Sequence, residues 1–439
     1  MSNSRSGKLL FLLYCSVIVV TTMLYGAVHP VVLALFYSVV ALMIAIWAIG
    51  CLVSGRLEIS SSLLQVPVAA AAIYGLIQVI PFGGVSGIAG VEGIPRTISI
   101  EPFATQVAAL HFLALFFFFG VTLVVIDSPQ RIKRLVAFLT IFGFLYAFFA
   151  ILQGVLSPGK IYSLVGVGFG TPYGTFVNRH DFAAFMEMTI CLPLGLLVVG
   201  AVPKDKRLLY ITAASLMGIA LLLSGSRGGF VSMLCGILIL LLLVLKRRDR
   251  RDSIIKIALA VGLVAAIVIG AILVGGESSL TRFADTATSN DFSSDRMHIW
   301  RVTLSVISHH IPFGSGLGTF GSAYTAFDTY GGMERVEQAH NDYLQVLADA
   351  GVVGLAIGLS FLFFLYDKAR QSIKIEDRFL RGVALGAVAG CSAILVHSIF
   401  DFVLHITAIA VLFLTLIALI IASVPKYRTD AVERKPITA

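Results

Sequence analysis

Charge is what this chain has least of. Only 13% of its 439 residues are Asp, Glu, Lys or Arg, 58% are apolar and the mean hydropathy is +0.95. A soluble domain is about a quarter charged, so these numbers exclude an ordinary water-soluble fold. The chain also lacks any polar block large enough to bury a core of its own between the apolar runs that recur from Leu9 to Val424, which argues for one membrane domain. Cysteine is sparse and unpatterned: Cys15, Cys51, Cys191, Cys235 and Cys391 all lie within or at the edge of apolar segments without CxxC spacing, which points to neither disulfides nor a cysteine metal site. Arg5 and Lys8 precede an apolar run, but no small-residue cleavage site leads into a polar mature domain, so this run reads as an uncleaved first span. No internal repeat appears, and no low-complexity tract apart from the polar tail after Pro425. The net charge of +8 could suggest a nucleic-acid partner, yet the basic residues sit in short clusters between apolar runs, as membrane topology determinants do. The partner this implies is lipid, not nucleic acid.

What is present is a series of apolar segments of membrane-spanning length. Residues 9–25, 31–53, 62–80, 106–126, 135–156, 181–201, 208–223, 230–245, 254–275, 343–366, 380–400 and 404–424 predict an all-α polytopic protein with about twelve transmembrane helices. The segments 208–223 and 230–245 could be one long helix. Lys204, Lys206 and Arg207 precede the pair and Lys246, Arg247, Arg248, Arg250 and Arg251 follow it, so both flanks prefer the cytoplasm, and only two spans or a re-entrant turn satisfies both. The expected organisation is a single transmembrane domain over 1–425, with outer loops 81–105, 157–180 and 276–342, and a cytoplasmic tail over 426–439. The largest outer loop falls between spans 9 and 10, and loops of that length in compact membrane proteins are usually functional.

With the N-terminus inside, this topology leaves eight of the 32 basic residues outside: Arg96, Arg179, Arg227, Arg282, Arg296, Arg301, Arg335 and Lys160. Seven of the eight are arginine. Guanidinium is a permanently charged planar fork that clamps phosphate and carboxylate, so an arginine-rich outer face suggests an anionic ligand. The competing reading for each is anchoring on lipid headgroups.

The sharpest local pattern is His340-Asn341-Asp342-Tyr343-Leu344-Gln345-Val346-Leu347-Ala348-Asp349-Ala350-Gly351-Val352-Val353-Gly354. Asn341 or Asp342 can cap a helix, and Gly351, Gly354 and Gly358 permit close helix approach. Imidazole has an unperturbed pKa near neutrality, so His340 at a membrane surface is a candidate general base, against the plainer reading of a cap residue. In Ser224-Gly225-Ser226-Arg227-Gly228-Gly229, a glycine-flanked turn lets the Arg227 guanidinium approach a phosphate closely.

The HN pattern, nine residues and then GxxG resembles the signature of the O-antigen ligase and polymerase superfamily, bacterial membrane glycosyltransferases acting on undecaprenyl-diphosphate glycans. Ser224 to Gly229 resembles its SRG turn, and Asn178-Arg179-His180-Asp181-Phe182-Ala183 its NxxxFA segment. Arg296 to Trp300 with Pro312-Phe313-Gly314-Ser315-Gly316-Leu317-Gly318-Thr319-Phe320 resembles the run ahead of the histidine. These motifs stand in family order over roughly residues 95–365. The resemblance implies transfer of a glycan from undecaprenyl diphosphate to a sugar hydroxyl on the periplasmic face of the bacterial inner membrane. The acceptor would be another glycan for a polymerase, which the AHNDYLQ, GTFVN and PFGSGLGTF runs slightly favour, or a lipid A-core for a ligase. It implies no cofactor and no metal, with His340 and Arg227 catalytic, Arg179, Arg296, Arg301 and Asn341 binding the diphosphate or glycan, and Gly228, Gly229, Gly351 and Gly354 shaping the motifs. His180 departs from the family, where asparagine is common, so no role carries over to it. A lipid-diphosphate leaving group needs charge neutralisation more than protonation, which arginines supply. Metal-dependent transfer would need convergent carboxylates, and the only close outer aspartate pair is Asp291 and Asp295. A lipid-glycan flippase or transporter is the alternative, but ionisable residues inside the spans are sparse: Glu187 is the clearest, Asp401 lies near an outer end, and His111 and His397 read as core.

Overall fold

The computed structural model describes residues 5–82, 96–166, 170–245, 291–329, 335–424 and 432–436. Its helices are α1 (Arg5–Met23), α2 (Pro30–Ser54), α3 (Gln65–Gln78), α4 (Pro102–Val125), α5 (Pro129–Leu156), α6 (Arg179–Val198), α7 (Arg207–Leu223), α8 (Arg227–Leu245), α9 (Asp291–His310), α10 (Phe320–Thr325), α11 (Asp342–Ser372), α12 (Arg378–His397) and α13 (Thr407–Ser423). Among the described residues nine helices are long and apolar enough to cross a membrane, and α3 and α13 are shorter apolar helices. These eleven fall on eleven of the expected segments, while the expected span 254–275 lies outside the described residues. The 208–245 region is two helices, because Gly225 at φ 71° turns the chain between α7 and α8.

At the centre α6 lies against α12. Every residue of α6 from Asp181 to Leu196 is buried, as are most of α12 and α13. Small residues set the approach: a Cβ on Gly195 would meet the Gly382 carbonyl at 2.4 Å, one on Gly386 the Cys191 carbonyl at 2.5 Å, and one on Gly390 the Met188 carbonyl at 2.9 Å. In lipid, where apolar surface gives no drive for helices to associate, such backbone contact is how they hold together. Alternation of the helices gathers the connections 157–178, 224–226, 311–319, 335–341 and 398–406 at one end of the bundle. The other end carries Lys204, Lys206, Arg207, Lys374 and Arg378.

Within the expected outer loop 276–342 the described residues form α9 and α10. Hydropathy overlooks α9 because it is polar on most of its surface. Its Val302 and Val306 nevertheless pack with Phe320, Ala323, Tyr324, Ala339 and Ala348 in a small cluster of their own. In the expected tail, β4 (Val432–Pro436) pairs antiparallel with β1 (Arg56–Ser60), in the connection after α2.

Gly351 was expected to let helices approach. It instead breaks α11, with φ 59° and ψ −150°, a conformation open essentially to glycine alone. The break frees the Ala348 and Asp349 carbonyls, which accept N–H bonds from Ser315 and Gly316 at 2.9 Å each, while the Val352 N–H reaches the Pro312 carbonyl at 2.8 Å. Gln78 of α3 donates to the Phe313 and Asp349 carbonyls, both at 3.0 Å. The PFGSGLGTF run is therefore a loop docked into a broken helix. Gly354 relieves the same break, since its Cβ would fall 2.3 Å from that of Ala350. Gly351→Ala would put a Cβ 2.1 Å from the Pro312 carbonyl. Backbone strain alone costs about 1–3 kcal/mol. We expect a lower melting temperature in detergent and poor recovery of folded protein; an unchanged melting temperature would contradict the docked-loop geometry.

Candidate active site

The site is built from the starts of three helices and the turn after a fourth. Each start has a polar cap. Asn178 accepts the His180 N–H at 3.1 Å, Ser226 Oγ accepts the Gly229 N–H at 3.2 Å, and Asn341 accepts the N–H groups of Tyr343 and Leu344, both at 3.0 Å. The positive ends of α6, α8 and α11 thus meet at one end of the bundle. Arg179 and Arg227 are the first residues of α6 and α8.

Asp401, in the turn after α12, is where the parts join. Its side chain is 3% exposed; His340 Nδ1 donates to Oδ1 at 2.9 Å, Arg296 Nη2 donates to Oδ2 at 3.2 Å, and His180 Nδ1 stands 3.8 Å from Oδ2. Burial by itself raises the Asp401 carboxyl, but the hydrogen bond from His340 and the charges of His180, His340 and Arg296 outweigh it and hold the group well below the ordinary carboxylate range. The ionised carboxylate fixes the proton of His340 on Nδ1 and leaves Nε2 as the acceptor nitrogen of a ring that is 30% exposed. Phe402 packs edge-on to that ring at 5.0 Å.

Two further sets of contacts hold His340 in place. Its φ of 48° is left-handed, a region a non-glycine residue occupies only when its surroundings require it. Those surroundings are dense: Trp300 Nε1 donates to the Ala339 carbonyl at 3.1 Å, the Ala339 N–H reaches Gln345 Oε1 at 2.7 Å, and the Asp342 N–H reaches the Ser398 carbonyl at 2.9 Å. Asp342 also accepts from His405 Nδ1 at 2.7 Å and from the Leu404 N–H at 3.2 Å. Burial alone would lower the His405 imidazole, but its hydrogen bond to Asp342 and that carboxylate's charge keep it above the ordinary histidine range. The segments 339–342 and 398–405 are thereby knitted together by two histidine–aspartate pairs of opposite sense.

The expected residues separate into three groups. His340 and Arg296 meet at Asp401. Arg179 and Arg227 flank the 224–226 turn, with Arg179 Nη1 3.4 Å from where a Gly225 Cβ would stand. Arg301 is exposed, five residues after Arg296 and so about 140° around α9, facing away from Asp401. Asn341 has its oxygen in the helix cap and its amide donating to the Ile399 carbonyl at 3.0 Å, so the structure gives it a capping role. Gly228 and Gly229, expected to shape the turn that carries Arg227, seat the His397 ring and Ala183 against the start of α8. Arg282 and Gly276 to Asn290 lie outside the described residues.

Sequence reasoning missed Asp401 as a partner of His340, and His180 as a neighbour of both Asp401 and Ser226, whose Oγ is 2.9 Å from its Nδ1. A signal was present: His397, Asp401 and His405 recur every fourth residue in an otherwise apolar stretch, and ionisable groups at membrane depth are functional by default. Among the described residues no three His, Cys, Asp or Glu side chains gather so as to hold a metal ion.

A polytopic helical membrane protein with an arginine- and histidine-bearing site at one end of its bundle is the class defined by these observations. Residues 212–359, about a third of the chain, match the family described as O-antigen ligase, and that match supports the resemblance to the O-antigen ligase and polymerase superfamily. The matched stretch holds Arg227, Arg296, His340, Gly351 and Gly354, whereas Arg179, His180 and Asp401 come from outside it. No curated protein matches the chain.

Proposed function

We propose that this protein transfers a glycan from undecaprenyl diphosphate to a sugar hydroxyl on the periplasmic face of the bacterial inner membrane, as a polymerase of lipid-linked glycans, with O-antigen ligation to lipid A-core as the second reading. The observation that carries the proposal is the His340–Asp401 pair, at 2.9 Å, beside helix starts headed by Arg179 and Arg227.

The donor diphosphate sits against Arg227 and Arg179, where two guanidinium groups and the α6 and α8 dipoles neutralise its charge. His340 Nε2 accepts the proton of the acceptor hydroxyl as its oxygen attacks the anomeric carbon. The anomeric carbon–phosphate oxygen bond breaks, and undecaprenyl diphosphate departs with the bonding electrons, its growing charge met by the same arginines. The proton on His340 then passes to solvent. Asp401 keeps the ring in the Nδ1–H form throughout, and Arg296 orients Asp401. The step needs no cofactor and no metal.

Mass spectrometry of lipid-linked glycans in a deletion strain tests the reading. Single repeat units accumulating on the lipid are the expected result; full-length polymer stranded on the lipid would assign the ligase instead. An unchanged lipid-linked pool would overturn both. Glycan-lipid movement without new bond formation in sealed vesicles would make the protein a flippase.

A further inference from the structure

Once Asp401, His340, His180 and Arg296 are accounted for, a second buried ionisable pair is left in the core. Glu187, in the third turn of α6, and His397, the last residue of α12, are both 0% exposed, and His397 Nδ1 lies 3.1 Å and 3.2 Å from the two carboxylate oxygens. The other edge of the ring faces the SRG turn. A Cβ on Gly228 would stand 3.1 Å from His397 Nε2, and one on Gly229 would stand 3.4 Å from Cε1. Nε2 itself is buried and has no hydrogen-bond partner among the described residues. The His397 carbonyl, at the same time, accepts the N–H groups of Phe400 at 2.8 Å and Asp401 at 3.0 Å. One residue therefore touches the start of the Arg227 helix with its ring and fixes the Asp401 turn with its backbone. Ala183, one helical turn before Glu187, meets the same α8 start, with its Cβ 2.5 Å from where one on Gly229 would stand.

We propose that Glu187 and His397 are positioning residues that set the Arg227 turn in register with the Asp401–His340 pair. The inference rests on the reading of Arg227 as a diphosphate ligand. A buried polar pair in a span is a poor source of stability, because apolar residues of similar volume pack there at no desolvation cost. What it supplies is orientation: the two carboxylate oxygens facing Nδ1 fix the ring, and the glycines of the SRG turn leave room for it in that position.

The test uses full-length protein purified in detergent, with undecaprenyl diphosphate alone as the binding probe and transfer from lipid-linked glycan as the activity. Glu187→Gln keeps an acceptor for Nδ1–H and is expected to stay within about 3-fold of wild type in both Kd and kcat. Glu187→Leu and His397→Phe lose the orienting bond. Each should weaken probe binding about 10-fold and lower kcat about 10-fold, and each lowers the melting temperature by leaving one buried polar partner, whereas the double replacement should recover the melting temperature but not Kd or kcat. If Glu187→Leu alone fails to fold, the double replacement Glu187→Leu/His397→Phe, which leaves no buried polar group, carries the test. Folded Leu and Phe variants with wild-type Kd and kcat would overturn the proposal, as would losses that simply track the melting temperature with no rescue by Glu187→Gln. Arg227→Lys separates the two levels, since it should bind the probe about 10-fold more weakly. If it binds like wild type, the reading of Arg227 falls, and the kcat arm with its Gln rescue still decides the Glu187–His397 pair.

Discussion

His340→Asn is expected to abolish most transfer, by about 10²-fold or more, while the protein still folds. Asparagine is among the few residues that tolerate the left-handed backbone found here at φ 48°, so the replacement adds little strain. Its side-chain amide can donate to Asp401 Oδ1 as Nδ1 does now at 2.9 Å, so the carboxylate keeps a partner. The loss is Nε2, the nitrogen that takes the proton from the acceptor hydroxyl. The variant should therefore insert, melt near the wild-type temperature and bind undecaprenyl diphosphate normally, with the defect confined to kcat. Alanine is a poorer choice, because it would confuse strain at a left-handed position with loss of a base. The measurement is turnover of lipid-linked glycan by purified enzyme between pH 6 and 8. Near-wild-type transfer over that range would remove His340 as the base, and His180, 3.8 Å from the same carboxylate, would be next in line. Glu337 is exposed and paired with Arg335, and Asp342 is held by His405 and the Leu404 N–H, so neither is placed as well for that role.

Asp401→Asn should cost about as much activity by a different route, about 10²- to 10³-fold. An asparagine amide can stay near its two neighbours, but it no longer dictates which imidazole nitrogen holds the proton. If its NH₂ donates to Nδ1, the proton moves to Nε2, and the nitrogen that should accept becomes a donor. Stability should fall as well, by about 2–3 kcal/mol, since a buried carboxylate bridging Arg296 and His340 is replaced by a neutral group. The sign of the pH effect follows from the carboxyl's depressed pKa. Its stabilisation is complete above the unfolded carboxylate value of about 3.9 and is lost as pH falls through the lower folded value. Wild type should thus lose this contribution only in strong acid. Asp401→Asn should lack that acid-dependent part of the melting curve and be uniformly less stable above it. Equal melting temperatures for the two proteins at pH 5 to 8 would contradict a structural ion pair at this position.

Membrane character and the segments destined to span were legible because lipid imposes a length and a composition that a linear pattern records directly. The break between α7 and α8 was legible through charge, since two basic flanks cannot share a side unless the chain returns. The His340 and Arg227 motifs were legible as chemistry near helix starts, which local capping residues announce. Other features were not. α9 escaped because it packs a narrow apolar stripe against α10 and the Ala339 segment rather than against lipid, so no hydropathy threshold registers it. The role of Gly351 was misread because a glycine for helix contact and a glycine for a left-handed break look alike in sequence; only the 311–318 loop seated in that break tells them apart.

By itself the sequence determined the solvent this protein folds in, the order of its apolar segments, and the residue types on offer at their ends. These depend on composition and short-range periodicity. Tertiary structure alone decided which of those residues meet. His340 and Asp401 are 61 positions apart, Arg296 and Asp401 105, and Glu187 and His397 210. Such pairings are set by how α6, α9, α11 and α12 pack, through glycine contacts and buried hydrogen bonds that no local pattern encodes. Arg296, one of the arginines singled out in the sequence, pairs for that reason with an aspartate that no local pattern links to it: its partner lies on a turn fixed by a helix it does not belong to.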